Sequence, residues 1–283
     1  MKIAAAQIAC ALGDPKANLL KVHNFCRRAR GAGAELIVFP EMTDTGYSMP
    51  VIRAHASSWT SGFVVGLREI ASELSIAIVC GVSERDGALI YNSQVFVDQQ
   101  GNIAAKYRKT HLFADEIIKE QNCFAAGNAF ASFAFGGLRF GLSICYDFRF
   151  PEIYRRLAVA ENVNAFILSI AHPFPRVELF RALCMARAIE NQSYMVAANR
   201  VGKDDDFRFC GNSVIVDPAG VVIAAASSER EELIQAELSE GFVNSVRSAI
   251  NALAHRRADL YGLEKNDQVL MTGYSKDEPP ASA

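Results

Sequence analysis

Apolar residues in this chain come in short dense runs, separated by polar, Gly- or Pro-bearing breaks. Lys2–Ala9 reads as a buried strand, with Gln7 interrupting it. Asp14-Pro15 then predicts a helix start: Asp caps free N–H groups and Pro suits the first helical position. That helix extends to about Gly31. Leu36–Phe39 is a short strand closed by Pro40-Glu41, and a second helix is predicted over Gly62–Leu74. Ile76–Val82 and Leu89–Asp98 read as antiparallel neighbours about the polar turn Glu84–Gly87. Gln99–Asn102 turns the chain into a strand at Ile103–Arg108, and Thr110–Phe130 is a long loop. Phe133–Phe135 and Leu138–Ile144 form a hairpin around Gly136-Gly137. Strand Phe166–Ile170, helix Val177–Asn191 and strand Tyr194–Ala198 follow. Val214–Val216 and Val221–Ala225 flank the turn Asp217–Gly220. Glu232–Leu238 is the last strand and Gly241–Arg256 the last helix. Two strand–helix–strand runs, with antiparallel strands between them, argue for an α/β layered domain.

Composition narrows the class. Of 283 residues, 51% are hydrophobic and 21% charged, too apolar for a disordered chain. Lys plus Arg number 29 and Asp plus Glu 31, a net charge of −2. That balance gives no electrostatic footprint for nucleic acid or an anionic membrane. No segment has the ~18–20 continuous apolar residues of a membrane span. The opening stretch reads as a core strand in preference to a signal peptide. Seven cysteines, an odd number with no CxxC spacing, read as thiols and not as disulfides or a zinc site. A cytoplasmic protein is expected, with one domain over residues 1–263 and a polar tail over 264–283. Neither a phosphate loop nor GxGxxG nor a metal-ligand spacing occurs, so no cofactor and no metal are expected.

Three polar groups sit where apolar strands stop: Glu41 after LIVFP, Lys109 in AAKYRKTHL, and Cys145 in FGLSICYDFRFPE. Strand ends are where α/β folds gather ligand-binding groups. Singly, these are a loop carboxylate, a surface charge and a small buried filler. Together they form a chemical set. A thiol becomes a nucleophile as a thiolate or with a base beside it. Glu41 can be that base if burial raises its pKa. Lys109, helped by the backbone N–H of Tyr146, can stabilise an oxyanion.

The segments FPE, YRKTHLF and CYDFRFPE, in that order and spacing, resemble the signature of the nitrilase superfamily of carbon–nitrogen hydrolases. The resemblance continues through RALCMARAIENQSYMVAANRVG and GNSVIVDPAG and covers about Met1 to Arg256. It implies an αββα sandwich that dimerises into αββααββα, with Val177–Asn191 in the layer between subunits and Val177, Phe180, Cys184 and Met185 among its apolar positions. It implies Glu41 as general base, Lys109 as oxyanion donor and Cys145 as the nucleophile forming a thioester. Many members carry a second glutamate before the cysteine. The loop offers Glu116 and Glu120; in several relatives this glutamate lies seven residues before the Gly of a Pro-Gly pair, and with Gly127 as the equivalent the resemblance implies Glu120, although Ala125-Ala126-Gly127 departs from that Pro-Gly. Tyr47, Tyr146, His172 and Phe174 are candidates for lining the substrate pocket. His111 is expected to pack or hydrogen-bond, and Asp147, Arg149, Arg187 and Glu190 to form structural ion pairs.

The activity implied is hydrolysis of a small-molecule carboxamide by a homodimer or larger homo-oligomer. Tyr146-Asp147 stands where nitrilases proper more often show Trp-Glu, which favours the amidase branch. A nitrilase or an N-carbamoyl amidohydrolase would use the same four residues. A papain-type Cys-His hydrolase would make the FPE and KTHL text coincidental. A non-catalytic binding protein would not need Glu41, Lys109 and Cys145 intact.

Overall fold

The computed structural model describes residues 1–205 and 207–261; the tail 264–283 lies outside them. The chain opens with β1 (Lys2–Gln7), α1 (Pro15–Gly31), β2 (Leu36–Val38), α2 (Met49–His55) and α3 (Gly62–Leu74). The strands β3 (Ala77–Asp86), β4 (Leu89–Val97) and β5 (Ile103–Arg108) follow. After a loop come β6 (Ser132–Phe135), β7 (Leu138–Ile144), α4 (Pro151–Ala160), β8 (Ala165–Ser169), α5 (Val177–Asn191) and β9 (Tyr194–Ala198). The chain continues through β10 (Lys203–Asp204), β11 (Phe207–Arg208), β12 (Val214–Val216), β13 (Val222–Ala225), β14 (Glu232–Glu237), α6 (Glu240–Ala249) and α7 (Ala258–Tyr261).

Two mixed six-stranded sheets result, ordered β14-β1-β2-β3-β4-β5 and β13-β12-β9-β8-β7-β6. β1, β2 and β3 run parallel in the first sheet, as do β7, β8 and β9 in the second. Period-two alternation assigns the faces. Ile3, Leu36, Val38 and Val79 meet Phe140, Leu142, Ile144, Ile167 and Val196 in a core between the sheets. Ala4, Ala6, Ile37 and Ile78 point the other way, onto Val22, Phe25, Phe63 and Leu67 of α1 and α3. Phe166, Leu168 and Met195 of the second sheet pack on Tyr154, Leu157, Phe180 and Cys184 of α4 and α5. The layers are therefore αββα. Strands covered on both faces explain why the sequence shows continuous apolar runs and not strict alternation.

Local chemistry sets the element ends. Asp14 accepts from Ala17 N at 3.0 Å and Pro15 begins α1. α2 and α4 were not anticipated, yet both carry Pro in the first turn, and α4 buries Ile153, Tyr154, Leu157 and Ala158 on one stripe. The last long helix ends at Ala249, short of the expected Arg256. Val243 is its one buried residue, and Ile250 is extended at φ −140°, so no described residue beyond Ala249 is buried to hold the helix against the core. Phe180 and Cys184 of α5 face their own sheet and are unavailable to a second subunit.

Candidate active site

Glu41 leaves the end of β2 through Pro40 and is fully buried. Its closeness to β3 depends on Gly81, where a Cβ would stand 2.6 Å from Glu41 Cα. Glu41 Oε1 accepts from Asn92 Nδ2 at 2.7 Å and from Lys109 Nζ at 3.1 Å. Oε2 accepts from Ala171 N at 2.9 Å, so the second sheet also holds it.

Lys109 follows β5 and is buried. Its N–H donates to Asn92 O and its carbonyl accepts from Gly127 N, both at 2.8 Å. Alternation along the strand turns Tyr107 and Lys109 inward and leaves Lys106 and Arg108 outside. Lys109 Nζ reaches Glu120 Oε1 at 2.9 Å. Glu120 opens a single 3-10 turn inside the long loop and is fully buried. It also accepts from Tyr47 Oη at 2.6 Å and from Phe113 N at 2.7 Å. Glu116, by contrast, is exposed.

Cys145 is the first residue after β7 and sits at φ 43°, in the left-handed region. This kink ends the strand and starts a 3-10 turn over Cys145–Arg149. Asp147 braces the kink. Its Oδ2 accepts from Ile144 N at 3.0 Å and from Tyr107 Oη at 2.7 Å, and its Oδ1 accepts from His111 N at 3.1 Å. The Cys145 turn and the Lys109 segment are thereby tied together.

Burial and the neighbouring Glu41 push the Cys145 thiol well above its usual range, with Lys109 opposing. Burial likewise raises the Glu41 carboxyl, against the pull of Lys109. For Lys109 burial disfavours the charge, but the Glu120 and Glu41 carboxylates outweigh it and hold the ammonium well above the usual lysine range. Tyr47 is raised by burial and by Glu120, so it remains a phenol able to donate. The cluster thus holds a neutral thiol, one fixed cation and a carboxylate with a proton affinity raised toward that of a base.

A small cavity of about 40 Å³ opens above Cys145, bordered by Tyr47, Phe113, Tyr146, Arg149, His172 and Arg176 among others. His172 is buried, its Nε2 3.2 Å from Arg176 O, and burial lowers its pKa to about 4. Phe174 is not at this cavity. Its ring is 57% exposed, with the Arg208 guanidinium 5.6 Å away. His111 stacks on Phe150 with centroids 3.8 Å apart. Arg187 bonds Phe148 O at 3.0 Å and Glu190 at 2.8 Å. Among the described residues no group of His, Cys, Asp or Glu is arranged to hold a metal, and no helix is long and apolar enough to cross a membrane.

Sequence reasoning missed Asn92, the Ala171 N–H and Asp147's bracing of the turn. A signal for the first was present: Asn92, Ser93 and Gln94 are three consecutive polar residues inside an apolar strand, all buried. Buried polar groups demand partners.

Residues 2–248 match the sequence model of the family described as carbon–nitrogen hydrolase. A 2-oxoglutaramate amidase of Bacillus subtilis is 32% identical over 260 residues, 92% of this chain and 98% of that protein. A nitrilase of Pyrococcus abyssi is 34% identical over 87% of this chain and 93% of its own length. The solved structure of the NitN amidase from Neterenkonia sp. AN1 superposes with a TM-score of 0.83 at 29% identity, covering 93% of this chain and 98% of that one. A mutant of the amidase from Nesterenkonia sp. AN1 carries acrylamide added to its active-site cysteine.

Proposed function

The chain belongs to the carbon–nitrogen hydrolase family, and from that premise we propose that it hydrolyses a small carboxamide through a thioester on Cys145. The reading is carried by one observation: a buried base, a buried ammonium and a second buried carboxylate surround a single strand-end thiol.

In this mechanism Cys145 Sγ attacks the amide carbonyl while its proton passes to Glu41. A neutral resting thiol calls for such coupled transfer, because little thiolate is preformed. Lys109 Nζ and the Tyr146 N–H hold the oxyanion. Glu41 returns the proton to the departing nitrogen, ammonia leaves, and the acyl group remains on sulfur. Glu41 then takes a proton from water, water attacks the thioester, and collapse restores the thiol and releases the acid. Glu120 accepts from Lys109, Tyr47 and Phe113 N. Two of these bonds meet on Oε1, the oxygen that takes the Lys109 ammonium, which suits an anchor for Lys109.

The small cavity suits a small substrate. Arg149 and Arg176 border it, both are exposed, and neither is ion-paired among the described residues. They fit an amide bearing a distal carboxylate. The reading includes a homodimer and a cytoplasmic setting, where seven free thiols stay reduced. The test is ammonia release from a panel of small amides, nitriles and N-carbamoyl compounds. Turnover of a primary amide faster than its nitrile supports the reading. Faster turnover of nitriles than of every amide transfers the chain to the nitrilase branch.

A further inference from the structure

Behind Glu120 lies a buried ion pair that the mechanism above does not use. Arg200, two residues past β9, is completely buried. Its Nη1 donates to Asp204 Oδ2, while Nε and Nη2 have no hydrogen-bond partner among the described residues. The Phe209 ring centroid lies 4.4 Å from its guanidinium carbon. Asp204 is 1% exposed, and the same Oδ2 accepts from Tyr47 N at 2.7 Å. Tyr47 Oη in turn donates to Glu120 Oε1 at 2.6 Å, the oxygen that holds Lys109 Nζ at 2.9 Å.

The residue before Tyr47 is shaped for this approach. Gly46 has φ +77°, and a Cβ there would stand 3.0 Å from Asp204 Oδ2 and 2.8 Å from Leu12 Cδ1. A side chain at position 46 would wedge the carboxylate away from the Tyr47 amide. A buried guanidinium–carboxylate pair is also a costly way to hold a hairpin, since an apolar pair of similar volume holds it without desolvating charge. The contact is worth that cost if it fixes something whose direction matters.

We propose that Arg200 and Asp204 are positioning residues for the catalytic centre. Their ion pair fixes the Tyr47 backbone, so that the Tyr47 hydroxyl holds Glu120 against Lys109. The pair is internally neutral and therefore sets geometry without changing the charge of the site. The inference rests on the amidase reading above for its kinetic readout, and on Cys145 alone for its chemical one.

The experiment is a double-mutant cycle between the two ends of the relay. Tyr47→Phe removes the hydroxyl, and Arg200→Met removes the anchor. Each is expected to lower kcat about tenfold, the scale of one lost directional hydrogen bond, with KM within about twofold. The double variant should be no slower than the worse single by more than about twofold, and Arg200→Lys should recover most of the loss. Effects that multiply in the double variant, or an Arg200→Met enzyme with unchanged kcat, overturn the proposal. Arg200→Met leaves Asp204 buried without a counter-charge. If it does not fold, Arg200→Met/Asp204→Leu removes both charges together with the acceptor for Tyr47 N and enters the same cycle. In parallel, the rate of iodoacetamide alkylation at Cys145 is followed against pH by peptide mass spectrometry. Tyr47→Phe and the Arg200 variant should displace that profile equally, and the double variant should match them. An Arg200 profile that superimposes on wild type while Tyr47→Phe is displaced refutes the relay. If the wild type turns over no amide, the amidase reading fails, and the alkylation cycle still decides this proposal.

Discussion

At Cys145 the backbone enters the left-handed region, where a Cβ crowds its own peptide at a cost of about 1–2 kcal/mol. Alanine keeps that Cβ and loses only sulfur. Cys145→Ala should therefore melt within a few degrees of wild type and release no ammonia, whereas alanine at Cys26, Cys80, Cys184 or Cys210 should leave the chemistry in place. Lys109→Met should slow turnover by about 10²–10³, the usual scale for one oxyanion donor. It also leaves Glu41 and Glu120 facing each other without a cation, so its melting point should fall at neutral pH and partly recover in acid. Glu120→Gln should impair turnover more than Glu116→Gln, because Glu116 is exposed and Glu120 meets the ammonium. His172 offers a pH test. Its folded pKa, about 4, lies below the ordinary value of 6.5, so the unfolded chain takes up a proton first as pH falls. The stability that neutral His172 contributes is complete above about 6.5 and is lost between there and about 4. Urea titrations at pH 7.5 and 5 should show His172→Gln losing less stability than wild type over that interval. At this scale the strand-end residues Glu41, Lys109 and Cys145 were legible, since a polar group closing an apolar run is visible in one dimension. Asn92 and the Ala171 N–H were not, because their roles are set by neighbours 51 and 130 residues away.

Among elements, the tight approach of β2 to β3 decides where the proposed base stands. Gly81 lies against Pro40 and Glu41, and a methyl group there must displace one strand end or the other. Gly81→Ala should destabilise the fold by about 1–3 kcal/mol, as overpacking does, and should also lower kcat about tenfold or more by shifting Glu41. Denaturant unfolding and steady-state kinetics on one sample separate the two effects. A variant that loses stability and keeps its kcat would show that β2 gives way without moving the carboxylate. Most strands and the two long helices α1 and α5 were legible, because covered strands write continuous apolar runs and a capped helix announces its start. α2 was hidden by its seven-residue length, and α4 by the CYDFRFPE text that drew the reading toward chemistry. α6 was overextended because Ile250 and Leu253 continue a helical apolar spacing that has no core beneath it; Ile250 is 69% exposed.

On the scale of the whole molecule, the outer faces of α4 and α5 leave Val159 and Ile189 46% and 50% exposed. A two-fold partner covering them is the commonest closed solution. Static light scattering at micromolar protein should give about twice the 30.9 kDa chain mass or more, and a particle of single-chain mass would contradict the proposed dimer. Strands β1–β5 with the late strand β14 make one sheet and β6–β9 with β12 and β13 the other, and the site is assembled across the gap between them. Glu41 leaves one layer and takes a hydrogen bond from Ala171 of the other. Gln94 Nε2 donates to Ser169 Oγ at 2.7 Å, and that hydroxyl crosses back to Phe39 O at 2.7 Å. Such an arrangement makes the enzyme a gauge of its own interlayer alignment. Hydrostatic pressure or sub-denaturing urea that slides one slab past the other by a fraction of an ångström would separate base from thiol while every helix and strand stays whole. Turnover should then fade in a range where far-ultraviolet circular dichroism is still flat, and return fully on decompression.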